Sequence, residues 1–582
     1  MTAMRRAMGA VVVLFVVALT WVAVWVPYHA TDALIYGRWS RLIELGGPVA
    51  DLSLGAGYLQ RPLFYVVQGW LWQLFGFHEW IGRLWALVFL IALVWAVWRV
   101  AGSDRGGAVT GAIGALLLVC NPDVVQLGAA GLTDVPVAAT VGVAGVLVLG
   151  LAGPRDRWAL GGLIAAAALV AGLTKPSSYF ALLGVGLALF VGPRPQLRSR
   201  LLWRGVPLAV GTLLSLVWAA IQAGRLDLGI SDFLKGGSAE TISAAVYSFY
   251  DQLNAQSRGS FILGMEWLGP YLTLPLIFAI LYAVLRIAAR PHRLAVTIAA
   301  PTAIILSWLL PFLADSSNGT VGPFDLDRPV AVVATVLLFV PLWLARDCPT
   351  DELPTRAHLT RMFVWALPPT MAWISSAPFN TRYLSPAWVP LVALIAAALW
   401  TAVRGTAAAR GRGWGWVVVA ILIVVGVVDL RNLDGLGQRP DGSIDAARTI
   451  RALKVTGWFH PDQARAAADP ALGALVDDTG AALRAPGRLI TGDGRLPYYW
   501  PLRTTRGEPQ RCADLRGYRT LVVTQSATGL AAAREKALTP AELAEATGGR
   551  AAQIAFWRRC QDPPVRTLSI QPREFAVFRI GR

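Results

Sequence analysis

The sequence predicts an all-α, polytopic membrane protein: a helical bundle of about thirteen transmembrane crossings followed by a small C-terminal α/β domain. Three observations predict it. The 582 residues are 55% hydrophobic and only 15% charged, whereas soluble domains run nearer a quarter charged. Apolar runs of about 20 residues, enough for a helix to span the hydrocarbon layer, recur from residue 11 to about residue 430 and then stop. The connections between those runs alternate between Arg-rich and Arg-poor.

The first run follows Arg5 and Arg6. It is longer than the core of a signal peptide, and no small-x-small cleavage site follows cleanly, so it reads as an uncleaved first helix. Spans are expected at 9–27, 80–100, 107–121, 134–152, 159–174, 177–193, 206–223, 270–288, 294–313, 329–345, 362–376, 386–403 and 414–430. One set of loops then carries Arg5/Arg6, Arg99/Arg105, Arg155/Arg157, Arg194/Arg198/Arg200/Arg204, Arg286/Arg290/Arg293, Arg346/Arg356/Arg361 and Arg404/Arg410/Arg412. The opposite loops are longer and poorer in basic residues, and the one at 121–133 has none. Positive loops stay cytoplasmic. The N-terminus is therefore expected in the cytoplasm, and an odd number of crossings of the inner or plasma membrane puts the tail outside. The net charge of +17 does not point to nucleic acid, because the excess Arg is spread over short loops and forms no single basic face.

The organisation expected is a membrane domain at 1–430 and a soluble extracytoplasmic domain at 431–582. In the tail, Thr539-Pro540-Ala541-Glu542 has the form of a capping box with proline at the first helical position. Leu489-Ile490-Thr491, Leu521-Val522-Val523-Thr524 and Phe575-Ala576-Val577-Phe578 read as short strands. Cys512 and Cys560 both fall in the tail, where a disulfide and two separate thiols are both open readings. Two outward loops are long, at 27–80 and 223–269. Their amphipathic stretches at 33–45 and 238–253 suit the membrane surface, and long structured loops usually exist for function. The Trp-rich segments 70–80 and 95–98 read as interface anchors.

Ionisable groups near membrane depth are expensive, so each is a functional candidate. Asp32, Asp134, Lys175 and Arg382 all fall at extracytoplasmic helix ends in this topology, and Arg61 joins them from the first long loop. A juxtamembrane charge is the bland reading of any one. Two carboxylates and three cations on one side suit an anionic substrate with a proton to remove. Asp325-Leu326-Asp327 has the form of a metal-binding Asp-x-Asp, with solvated loop carboxylates as the favoured reading and a divalent ion as the weaker one. His29 reads as an interfacial histidine.

Several stretches together resemble the GT-C glycosyltransferases. The opening comprises Thr31-Asp32-Ala33-Leu34-Ile35-Tyr36-Gly37-Arg38, then Tyr58-Leu59-Gln60-Arg61-Pro62-Leu63-Phe64-Tyr65, then Phe75-Gly76-Phe77-His78-Glu79-Trp80-Ile81-Gly82-Arg83-Leu84. It is similar to bacterial members near the protein mannosyltransferases and the lipid A aminoarabinose transferase. Gly131-Leu132-Thr133-Asp134 resembles their second acidic site, Gly172-Leu173-Thr174-Lys175 their Leu-Thr-Lys element, and Arg382-Tyr383-Leu384-Ser385-Pro386 their late Arg-Tyr-x-x-Pro signature. The order of elements is more specific than any one motif. Two departures stand out. The family's Asp-Glu pair is Asp32-Ala33 here, leaving one carboxylate. Its Glu-Lys-Pro is Gln60-Arg61-Pro62, which keeps the positive charge in a form that grips phosphate bidentately.

The resemblance implies inverting transfer of a sugar from a polyprenyl-phosphate donor to a hydroxyl on a glycan, lipid or protein. A hydroxyl is a poor nucleophile, so a positioned carboxylate, here Asp32, takes its proton during attack. The lipid phosphate leaves well and needs electrostatic stabilisation more than an acid; Arg61 and Lys175 are the expected contacts, with Arg382 either a third contact or a structural ion pair. Asp134 is expected to orient the acceptor or share the base role. No cofactor is implied beyond the divalent ion already named. The rival readings are a transporter or flippase of lipid-linked sugars, an O-antigen ligase or polymerase, and a non-catalytic scaffold of envelope assembly. A transporter calls for midplane charges and repeated halves, and neither is evident. The absence of G-x-x-x-x-G-K excludes ATP-driven transport within the chain. A ligase or polymerase leans on basic residues of a large outer loop, without the early Asp.

Overall fold

The structure is a computed structural model. It describes residues 9, 13, 31–45, 62–77, 79–119, 124, 133–192, 194–225, 269–316, 343, 345–351, 353–374, 381–410, 488–491, 504–506, 511–524, 559–561, 565–570 and 575–580. The expected spans 9–27, 329–345 and 414–430 and the capping box at Thr539 lie largely or wholly outside these. The chain divides into two compact units, one of residues 1–21, 55–64 and 84–431, the other of 22–54, 65–83 and 432–582.

The first unit is helical. It contains most of α3 (Glu79–Ala101), then α4 (Gly107–Val119), α5 (Asp134–Val148), α6 (Arg157–Thr174) and α7 (Ser178–Ala188). A short α8 (Leu197–Arg200) runs through a π turn at Leu201–Gly205 into α9 (Val206–Arg225). Then come α10 (Gly269–Ile287), α11 (His292–Ser316), α12 (Arg356–Ile374) and, after a 3-10 turn at Thr381–Ala387, α13 (Trp388–Arg410). Four described stretches are long and apolar enough to cross a membrane: Ile81–Ala101, Arg157–Thr174, Leu197–Gln222 and Leu384–Arg404. With the shorter apolar helices α4, α5 and α7 they make a multi-pass membrane bundle.

Packing follows from side-chain size. The apolar window in Leu384–Arg404 is buried on every side, as expected of a helix that is apolar all round. It packs on α4, α10 and α12. Between α6 and α9, Gly161 faces the Pro207 ring and Gly211 faces the Ala165 carbonyl. Small residues let backbones approach where lipid supplies no hydrophobic drive. Gly145 and Gly184 make room for the buried Trp365 of α12. Pro368 and Pro369 lie inside α12, where neighbouring helices can re-satisfy freed backbone groups.

The Arg-bearing loops expected on one side do meet. Arg99 donates to the Leu151 carbonyl. Arg105 Nη1 donates to the Thr350 carbonyl at 2.9 Å, and the Thr355 amide donates to Asp104 Oδ2 at 2.7 Å. Arg204 reaches the Val148 carbonyl at 3.3 Å and Arg361 the Val191 carbonyl at 3.1 Å. His292 lies between the Ala345 carbonyl, 3.0 Å from Nε2, and the Tyr282 hydroxyl, 3.3 Å from Nδ1. These contacts stitch the same end of α3, α5, α9, α11 and α12.

In the second unit, α1 (Thr31–Glu44) turns Tyr36, Trp39 and Ile43 inward. It pairs with α2 (Pro62–Phe75) from Tyr65 onward. The Tyr65 ring centroid lies 4.8 Å from Tyr36 and 5.0 Å from Trp39, and Gln73 Nε2 donates to the Ile43 carbonyl at 2.6 Å. At Gly69 a Cβ would come within 2.7 Å of Ile43 Cβ, so this crossing requires glycine. The unit also holds a five-stranded sheet of β1 (Arg488–Thr491), β2 (Thr504–Arg506), β3 (Tyr518–Thr524), β4 (Val565–Ile570) and β5 (Phe575–Ile580), in the order β2-β1-β3-β5-β4. β1 is parallel to both neighbours, whereas β5 is antiparallel to β3 and β4. Cys512 and Cys560 are disulfide-bonded, with Cα atoms 5.8 Å apart and a sequence separation of 48.

Candidate functional site

Asp134 and Lys175 meet directly: Lys175 Nζ donates to Asp134 Oδ1, and the side chains are only 4% and 3% exposed for Lys and Asp respectively. The local sequence explains the meeting. Asp134 is the first residue of α5, preceded by Thr133, whose carbonyl accepts from the Val137 amide at 3.0 Å. Lys175 closes α6 in an extended conformation, φ −162° and ψ 135°, because the following Pro176 disfavours the helical region at the preceding residue. The chain then re-enters a helix at Ser178, whose amide donates to the Lys175 carbonyl at 3.0 Å. Lys175 therefore stands in a break between two helices, with its side chain directed to the start of a third.

The electrostatics agree with that placement. The positive end of the α5 dipole favours Asp134 and the negative end of the α6 dipole favours Lys175. Two charges so deeply buried are tolerable because they neutralise each other, and removing one takes a counter-charge from the other. The pair lies at the opposite end of α5 from Val148, where Arg204 docks. The fifteen residues of α5 put about 22 Å between it and the Arg-rich loops.

Arg382 lies in the 3-10 turn Thr381–Ala387, which packs on α5 and touches α7. The structure thus brings the turn of the third candidate to α5, which begins at Asp134, and to α7, which follows Lys175. Asp32 is the second residue of α1, at the end where a carboxylate is favoured, and it belongs to the other unit. Arg61, Asp325 and Asp327 lie outside the described residues. Among those described, no group of three or more His, Cys, Asp or Glu is placed to hold a metal ion.

Four hydroxyls went unremarked in the sequence reading. Thr133 Oγ1, Ser177 Oγ, Ser178 Oγ and Ser385 Oγ are buried without a hydrogen-bond partner among the described residues. Thr133 adjoins Asp134, the two serines follow Lys175 by two and three positions, and Ser385 sits in the turn packed on α5. A buried hydroxyl without a partner costs about 1–3 kcal/mol, and three of these four adjoin Asp134 or Lys175 in sequence. Their only sequence signal was adjacency to the motif residues.

A polytopic apolar bundle with a buried ion pair at one end of α5 defines an integral-membrane protein with a buried polar site. No protein-family model matches the chain, and no curated protein matches it. Among solved structures, the chain is similar to ArnT from Cupriavidus metallidurans bound to undecaprenyl phosphate, at 15% identity and a TM-score of 0.52, covering 98% of this chain and 97% of that one. The apo state of the same protein aligns over 98% of both chains at 16% identity and a TM-score of 0.45. ArnT is a lipid A aminoarabinose transferase of the GT-C class, and the likeness to the lipid-bound structure shows a GT-C fold.

Proposed function

We propose that this chain is an inverting glycosyltransferase that moves a sugar from a polyprenyl-phosphate donor to a hydroxyl acceptor on the extracytoplasmic face. The observation that carries the reading is the buried Lys175–Asp134 pair in a GT-C fold, at the end of the bundle away from the Arg-rich loops. A neutralised lysine inside an apolar bundle is a charge held ready for an anion, and a lipid-linked phosphate reaches such a place without leaving the membrane. The ArnT structure similar to this chain is itself bound to undecaprenyl phosphate.

In this reading Asp32 takes the acceptor proton as the oxygen attacks the anomeric carbon. Lys175, Arg61 and Arg382 stabilise the charge that builds on the leaving lipid phosphate. Asp134 holds Lys175 in place, and orients the acceptor. The hydroxyls of Thr133, Ser178 and Ser385 supply the neutral hydrogen bonds. The membrane domain spans 1–430 with a cytoplasmic N-terminus, in line with the positive loops. The domain at 431–582 is extracytoplasmic, and the Cys512–Cys560 disulfide suits an oxidising compartment.

The test is transfer of radiolabelled sugar from a panel of polyprenyl-phosphate sugars into membrane fractions, comparing wild type with Asp32→Asn at equal protein level. Label incorporated by wild type and lost with Asn supports both the transferase and its base. Equal incorporation by the two removes Asp32 from the mechanism, and no incorporation from any donor overturns the transferase reading.

A further inference from the structure

The geometry points to a second lipid site, on the Arg-rich face, that takes the phosphate headgroup of an anionic phospholipid at Arg99. Along α3, Leu84, Val88, Ile91 and Trp95 are exposed, at 39%, 54%, 53% and 40%. Their spacing of four, three and four puts them on one face of the helix. Four residues further on, the stripe reaches Arg99, also exposed. From Leu84 to Arg99 is about 22 Å of helix, longer than the roughly 15 Å of one hydrocarbon leaflet, so an acyl chain lying on the stripe has its phosphate at the level of Arg99.

A lone Arg at the end of a lipid-facing stripe commonly just reaches for water. Two features distinguish this one. A cavity of about 450 Å³ opens beside it, lined by Trp98, Arg99, Gly102, Ser103, Gly150 and Leu151, with Ala108 at its wall; this falls within the size range of small-molecule sites. One guanidinium nitrogen donates to the carbonyl of Leu151, which also lines the cavity. A guanidinium has five N–H donors in a planar fork, and that fork matches phosphate bidentately. Asp104 accepts from the Thr355 amide, and among the described residues no ion pair joins it to Arg99. Arg99 and Leu151 lie at the far end of α5 from Asp134, so this site is separate from the one that holds Lys175.

The test uses the full chain, purified and delipidated in a neutral detergent, with bound lipid counted by native mass spectrometry. Phosphatidylglycerol and phosphatidylcholine of the same acyl length are titrated, with and without excess inorganic phosphate. Wild type is expected to retain phosphatidylglycerol about tenfold more tightly than phosphatidylcholine. Arg99→Gln is expected to abolish that preference, and Ala108→Trp to do so with the charge intact by filling the cavity. Arg198→Gln, another exposed arginine of the same face, is the control and is expected to keep the preference. An unchanged preference in Arg99→Gln overturns the site, as does equal retention of the two lipids by wild type. Full displacement of phosphatidylglycerol by inorganic phosphate overturns the lipid assignment and leaves a free-anion site.

Discussion

Replacing Lys175 by Met strands the Asp134 carboxylate, 3% exposed, in the bundle without its counter-charge. Replacing Asp134 by Leu removes a carboxylate bonded to the buried ammonium of Lys175. Breaking a buried pair from one side costs about 3–5 kcal/mol, whereas replacing both partners by apolar groups of similar volume is often neutral or better. Additivity would therefore put Asp134→Leu/Lys175→Met at about 6–10 kcal/mol below wild type, and the pair in the structure predicts a value within about 2 kcal/mol of wild type. The assay is unfolding in mixed micelles followed by tryptophan fluorescence, run on wild type, both single variants and the double variant. The coupling energy, about 4 kcal/mol or more, is the quantity of interest, because neighbouring residues show themselves by non-additivity. Single variants within about 0.5 kcal/mol of wild type, or an additive double variant, would refute the reasoning. The double variant also separates roles: folded but inactive in sugar transfer, it identifies the pair as part of the machinery as well as part of the fold.

Other expectations follow from particular contacts. Reducing the Cys512–Cys560 disulfide releases a loop of 48 residues, and the chain-entropy relation puts the loss at about 4 kcal/mol. Hydrogen exchange should therefore accelerate in β3, β4 and β5 on reduction and not in α13. Burial holds the pKa of His292, and that of His358, below the ordinary 6.5. A histidine kept neutral in the fold contributes stability that is whole above about pH 6.5 and is lost as pH falls from there towards the depressed folded value. The slope is at most about 1.4 kcal/mol per pH unit for each histidine. Melting curves at pH 7.5 and 5.5 should show this drop in wild type and a smaller one in His292→Gln. Gly184→Ala would push a methyl into the Trp365 backbone, and overpacking of this kind costs about 1–3 kcal/mol, read as a lower melting temperature.

Much of the bundle was legible because desolvation leaves a strong mark on composition. The runs at 80–100, 107–121, 134–152, 159–174 and 270–288 correspond to helices α3 to α6 and α10 within a few residues. The Arg-bearing loops expected on one side of the membrane include several that touch. The start of the long helix after Gln196 was missed. Arg198, Arg200 and Arg204 lower its local hydropathy, yet the backbone stays helical through a π turn. Helix α2 was missed for the opposite reason: its tryptophans were read as surface anchors, whereas Trp72 is fully buried. In the tail, Leu489–Thr491 and its two companions are strands, but their order could not be read, since nothing local tells β1 to lie between β2 and β3.

Of the candidate site, residue types and helix ends were legible and the contact was not. Asp134 and Lys175 are 41 positions apart. Their pairing depends on α5 and α6 lying side by side and on Pro176 holding Lys175 extended. The unpaired hydroxyls were beyond reach of sequence, because a serine reveals whether it is satisfied only in three dimensions. The disulfide was undecidable for the same reason, as spacing alone does not bring two Cα atoms to 5.8 Å.

Sugar transfer is separated from transport by the release of unglycosylated polyprenyl phosphate from a purified polyprenyl-phosphate sugar by the reconstituted protein, with and without an acceptor-bearing membrane extract. Release is expected to require the extract, to match the sugar transferred, and to disappear in Asp32→Asn and Lys175→Met that remain folded. Sugar found on the far side of the vesicle still joined to its lipid, with no polyprenyl phosphate released, would contradict it and assign the bundle to transport.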